Sequence, residues 1–173
     1  MALLVTNKVI KDQWHILEDD AQIDGGDNMI VSVERWQRDR DDLIACNRDL
    51  GIVLKSDQPP NLIEKDIQRF SVICLEFPKF TDGRAYSYAR LLRNKYGFKG
   101  ELRAVGNVLR DQLAFMLRCG IDAFEIADNV NARDWSSAFG EITVRYQGAN
   151  DIANIVRPNI IPPHNDVAGN WSY

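Results

Sequence analysis

The chain has 173 residues, enough for one domain to bury a core without metals or disulfides. Hydrophobic content of 45% and charged content of 27% are those of a globular protein, and a net charge of −4 argues against attraction of the whole molecule to nucleic acid. No apolar run approaches the ~20 residues of a membrane-crossing helix, and the opening Met1-Ala-Leu-Leu-Val-Thr-Asn-Lys turns charged too soon for a signal peptide, so the expectation is a cytoplasmic protein.

Residues 1–28 read as an N-terminal strand extension. Leu3–Ile10 and Trp14–Leu17 are its candidate antiparallel pair, and Asp24-Gly-Gly-Asp-Asn28 is a turn signal. An α/β core domain is expected over 29–147. It starts with strand Met29–Val33, a helix over Arg38–Asn47 and a short buried strand Gly51–Leu54. The spacing predicts a helix over Leu62–Phe70, with Asn61 as cap after Pro59-Pro60, and then a strong strand Ser71–Phe77. Ala85, Tyr88, Ala89, Leu92 and Tyr96 recur at helical spacing, predicting a helix over 82–96 that Gly97 ends. Strand Glu101–Val105, helix Leu109–Cys119 with Gly120 as its stop, strand Asp122–Ile126 and a short helix Arg133–Phe139 complete the pattern. The tail 148–173 is rich in Asn, Pro and Gly and reads as loosely ordered.

Strand–helix alternation favours a mainly parallel sheet with right-handed crossovers. The first expectation is an open doubly wound sheet. The alternative is a partial βα barrel, completed by a second copy in a homo-oligomer, because a full eightfold barrel takes about 250 residues.

Ligands of such sheets sit beyond the carboxyl ends of the strands. Those ends carry Glu34 and Arg35, Lys55 and Ser56, Glu76 to Arg84, Gly106 to Gln112, and Glu125 to Asp128. The turn Thr81-Asp82-Gly83-Arg84 is the sharpest candidate for an anion. Free N–H groups open the helix, glycine admits close approach, and Arg84 offers a fork for sulfite, sulfate, phosphate or carboxylate. The competing reading is structural, with Thr81 and Asp82 capping the helix and Arg84 paired to Glu76 or Asp82. The second loop, Gly106-Asn107-Val-Leu-Arg110-Asp111-Gln112, has the same two readings, and Arg103 on the strand before it joins the candidate ligand set. Glu76 shares a strand face with Cys74 and Val72, which points to ion pairing more than to acid–base chemistry.

Cys46, Cys74 and Cys119 have no metal or redox spacing, and with only His15 and His164 no metal site and no cofactor are evident. No nucleotide-binding glycine fingerprint or nucleophile elbow occurs. Between Phe77 and Gly120 nine basic residues face three acidic ones, a block of +6 in an acidic chain. Lys79, Arg90 and Arg93 lead this basic face. It reads either as solvated helix surface or as a dock for an acidic protein.

Phe77-Pro-Lys-Phe-Thr-Asp-Gly-Arg84, then Ser87, Ala89-Arg90, Leu92-Arg93, Tyr96-Gly97, Gly100-Glu-Leu-Arg-Ala104, Gly106, Leu109-Arg-Asp-Gln-Leu113 and Arg118-Cys-Gly120 resemble the core motif of an uncharacterised bacterial family. Genes of that family typically lie beside the haemoprotein of assimilatory sulfite reductase, and its members are often labelled oxidoreductases. The resemblance spans about Met29 to Tyr146. It implies a role in sulfite reduction and the sirohaem and iron–sulfur subunit as partner. An accessory protein supporting assembly or electron supply is the first expectation. A small oxidoreductase or oxyanion-binding enzyme using loops 81–84 and 106–112 is the alternative.

Overall fold

The computed structural model describes residues 2–5, 8–23, 28–127 and Trp135. Strands β1 (Ala2–Val5), β2 (Lys8–Ile10), β3 (Trp14–Ile16), β4 (Asn28–Ser32), β5 (Leu50–Leu54), β6 (Phe70–Phe77), β7 (Glu101–Gly106) and β8 (Ala123–Ile126) form one sheet. Helices α1 (Val33–Ala45), α2 (Arg84–Arg90) and α3 (Leu113–Arg118) connect some of them. The expected alternation is only partly present, because β5 and β6 are joined by two 3-10 turns, Pro60–Ile63 and Ile67–Arg69, where a helix over 62–70 was expected. Pro59-Pro60 opens that stretch without a side-chain cap, and the chain turns again at Asp66.

The strand order is β2-β1-β8-β7-β6-β5-β4-β3. From β3 to β8 the sheet follows the chain without reversal, and every pair in that run is parallel. A doubly wound sheet reverses its order and carries helices on both faces. Here α1, α2 and α3 all pack on one face. Trp36, Leu43, Ala85, Ala89, Leu113 and Met116 share a core with Met29, Val31, Ile52, Leu54, Ile73 and Leu75. The doubly wound expectation therefore gives way to a curled, mostly parallel sheet, a partial barrel.

The N-terminal strand pair also differs from expectation. Leu3–Ile10 is itself a hairpin, β1 against β2, and β1 lies antiparallel to β8. Trp14–Ile16 sits at the opposite edge, parallel to β4. Residues 11–13 thus run from one edge of the sheet to the other. Ile10 and Trp14 lie at most ~14 Å apart by chain length, whereas seven inter-strand spacings of a flat sheet measure roughly 34 Å. The short connection demands the curl. Asp12 within it accepts a hydrogen bond from Arg103 on β7 (2.7 Å). Arg103 is the register neighbour of Cys74, so both face away from the helices. That face, with Ile30, Val72, Cys74, Trp14, Val53 and Val105, is the concave one.

Local endings follow the chemistry of the sequence. Ser32 caps α1 by accepting from the Arg35 amide at 2.9 Å, so α1 starts earlier than the expected Arg38. α2 runs on into a π turn, Leu91–Lys95, and stops at Gly97 in the left-handed conformation (φ 63°). The expected helix over 109–119 divides into a 3-10 turn, Arg110–Gln112, and α3. Of the short helix expected over 133–139, only Trp135 is described, and it is buried against the helix-side core. The rest of that stretch, the 148–173 tail and most of the 24–28 turn lie outside the described residues. No helix among the described residues is long and apolar enough to cross a membrane.

Candidate functional site

Parallel strands and one-sided helices bring the strand ends to a common rim. At the end of β4, Glu34 accepts a hydrogen bond from Gln58 Nε2 (2.9 Å) and pairs with Lys55 Nζ (3.5 Å), both from the segment after β5. Arg35 turns away from the rim. It is buried and donates to the carbonyls of Glu18, Asp19 and Ala21, pairing also with Asp39 at 2.6 Å. This side chain ties α1 to the segment after β3.

The turn from β6 into α2 holds Thr81 to Arg84. Arg84 grips Asp82 with two side-chain bonds, Nε to Oδ1 at 3.0 Å and Nη2 to Oδ2 at 2.7 Å. The Arg84 amide also donates to Asp82 Oδ1 (3.2 Å). These bonds hold the Asp82 carboxyl well below the usual carboxylate range. Arg84 Nη2 reaches the hydroxyl of Ser56 as well (2.9 Å), and the Tyr88 hydroxyl donates to the Ser56 carbonyl (2.9 Å). Arg84 therefore pairs with Asp82, not Glu76. The carboxylate occupies the helix start that an anion would use, and α2 is a short helix of 7 residues. Thr81 and Gly83 are exposed beside it. The geometry is that of a clamp between β5 and the start of α2.

The second loop lies against the first. The Asn107 amide donates to the Phe77 carbonyl at 2.7 Å. Gly106 has φ 91°, and a Cβ there would sit 2.8 Å from that same carbonyl oxygen, so glycine is required for the two loops to meet. Gln112 accepts from the Leu109 amide (3.3 Å) and closes the 3-10 turn. Asp111 is exposed and Arg110 half-buried at that turn.

Glu76 faces the concave side near the end of β6, half-buried beside its register neighbour Val105. Arg103 lies deeper on that side and is almost fully buried (3% exposed). It donates from Nε to Glu101 (2.8 Å) and from Nη1 to Asp12. Arg103 is thus a mid-sheet residue, not a member of the rim or of an outward basic face. Beside it, burial pushes the Cys74 thiol up to about 12, which keeps it protonated and unreactive.

Arg93 is also withdrawn from the basic face. From the π turn its side chain runs inward and donates to the carbonyls of Gly120 (2.9 Å), Phe98 (2.8 Å) and Gly100 (2.8 Å). It pairs with Asp122 at 3.1 Å, and Asp122 accepts from the Leu102 amide on its other oxygen (2.9 Å). Gly120, at φ 95°, leaves room for this side chain, since a Cβ there would meet Arg93 Cγ at 2.6 Å. Lys79 and Arg90 remain exposed, as do Lys95 and Lys99.

Asp12 and Asp122 escaped sequence reasoning. Each is one acid among many, and its partner lies far along the chain. Ser56 was named at a strand end and Tyr88 on an expected helix, but nothing in their spacing announces that Ser56 meets both Arg84 and Tyr88. Among the described residues, no group of three or more His, Cys, Asp or Glu side chains is arranged to hold a metal.

No curated protein matches the chain. The family described as a bacterial protein of unknown function (DUF934) matches residues 51–156, from β5 through both rim loops and past β8, and the chain belongs to that family.

Proposed function

We propose that this protein is an accessory protein of assimilatory sulfite reduction that docks on the sulfite reductase haemoprotein and supports its assembly or electron supply. The resemblance of the 77–120 segment supplies the pathway. The observation that carries the docking mode is the outward placement of Lys79, Arg90, Lys95 and Lys99 on one stretch of a chain whose net charge is −4. Exposed cations concentrated in one stretch steer an acidic partner without attracting acids to the whole surface.

The two arginines whose burial removes them from this face, Arg93 and Arg103, are excluded from the contact. Charge reversal at Lys79, Arg90 and Lys99 is expected to weaken the complex at least tenfold at low salt and to flatten its salt dependence. Calorimetric titration of the haemoprotein at low and moderate ionic strength checks this. Unchanged binding in the reversed variants removes the basic face from the account.

The enzyme alternative requires Arg84 to release Asp82 and Ser56 before it can hold an oxyanion. A rise in melting temperature with sulfite or phosphate, lost in Arg84→Lys, is the result that would favour it.

A further inference from the structure

We propose that Phe80 and Phe115 form the apolar centre of a docking surface for an acidic protein, with Lys79 and Arg90 on its rim. The inference rests on the docking reading above and adds the residues that would carry the affinity. Phe115 stands on α3 with half its surface exposed (51%). Its ring meets Tyr86 edge to face at 4.8 Å, and Tyr86 meets the buried Phe77 in the same way at 5.0 Å. A chain of three rings thus runs from the core to the surface and holds Phe115 in place before any partner arrives.

Phe80 (57% exposed) lies on the loop between β6 and α2, and Leu109 (37% exposed) on the loop after β7. The Asn107–Phe77 hydrogen bond joins these two loops. Lys79 precedes Phe80 in the chain, and Arg90 is exposed on α2 one turn beyond Tyr86. Exposed aromatics with cations close by in the chain match the anatomy of protein interfaces, in which a few apolar anchors carry the affinity and the charged rim sets approach and register. The occupant follows from charge. Lys79, Arg90 and their basic neighbours select an acidic surface. The acidic whole chain and the acids Asp82 and Asp111 on the same loops favour a protein over a single-stranded nucleic acid.

The test titrates the haemoprotein with the wild-type chain, Phe80→Ala, Phe115→Ala, Phe115→Leu and the Lys79→Glu/Arg90→Glu pair at two salt concentrations. A fluorescent 20-nucleotide single strand serves as a second probe. Melting curves confirm that each variant folds, as expected for exposed positions. Phe115→Ala and Phe80→Ala are expected to lose at least tenfold in affinity with the salt slope unchanged. Phe115→Leu should recover part of the loss, and the charge pair should reduce the slope. Wild-type affinity in the alanine variants, alongside weakened binding in the charge pair, overturns this inference and leaves the docking reading intact. Absence of wild-type binding overturns both. Binding of the single strand that Phe115→Ala abolishes overturns the assignment to a protein.

Discussion

Arg93 donates four hydrogen bonds from a nearly solvent-free position, three of them to backbone carbonyls. Removing it strands those carbonyls and the Asp122 carboxylate together. Arg93→Ala is expected to lower the free energy of unfolding by about 3–5 kcal/mol, the cost of breaking a buried pair from one side. Lys99→Ala, an exposed change in the same stretch, should stay within ~0.5 kcal/mol. Urea denaturation of both variants checks the contrast. The cysteines give a second residue-scale expectation. Cys74 and Cys119 are buried and Cys46 is partly open, so a thiol reagent should label Cys46 alone in the native protein and all three in urea. The sequence already marked the three cysteines as unlike any metal or redox set. It could not separate Arg93 and Arg103 from the solvated arginines around them, because Gly120, Asp122 and Asp12, which complete their partner sets, lie far along the chain.

Elements are joined here by clamps built on one or two ion pairs. Arg40 on α1 grips Asp66 between the two 3-10 turns, with Nε at 3.0 Å and Nη2 at 2.7 Å from its carboxylate oxygens, and Arg69 adds a third contact. These bonds, Arg40 first, lower the Asp66 pKa. A carboxyl depressed in the folded state stabilises the protein above its unfolded pKa of about 4, and that contribution is lost as pH falls through the folded value. The urea midpoint should therefore fall on acidification below about pH 4, and less steeply in Asp66→Asn than in the wild type. The meeting of the rim loops depends on Gly106. Gly106→Ala forces a side chain into a left-handed backbone against the Phe77 carbonyl and is expected to cost roughly 1–3 kcal/mol, read as a drop in melting temperature. Most strands and both positive-φ stops at Gly97 and Gly120 were legible from alternation and glycine placement. The 62–70 segment was not, because a helical spacing of apolar residues also suits two successive 3-10 turns packed on the same core.

At the scale of the whole molecule, the candidate rim was legible as a set of strand ends but not as a site. Sequence placed Thr81–Arg84 and Gly106–Gln112 at the carboxyl ends of strands, and the structure brings them side by side. Only the structure shows Asp82 and Ser56 already taking up Arg84, which turns a candidate anion cradle into a brace. The direction of sheet winding was also beyond the sequence, since consecutive right-handed units produce either an open sheet or a barrel until the edge strands are assigned. The three-residue connection from β2 to β3 decides between them, and Asp12 fastens it to the concave face. Asp12→Ala is expected to leave α1–α3 and the β5–β6 pair protected while β1 and β2 exchange amide hydrogens faster. Hydrogen exchange by mass spectrometry resolves the two regions.

The pairing of β1 with β8, in which Ala2 meets Ile126, also sets an order of events during synthesis. β1 leaves the ribosome more than a hundred residues before β8, one of its two sheet neighbours. At ~5–20 residues per second the β1–β2 hairpin waits roughly 6–25 s before β8 emerges, with Leu3 and Leu4, which the finished fold buries, still without their β8 neighbours. A nascent chain stalled before Ala123 should present that hairpin to proteases and chaperones, and one stalled well beyond Ala127 should not. Closure of the sheet is then a late, length-gated step, and until it happens the need for guarding falls on the β1–β2 hairpin.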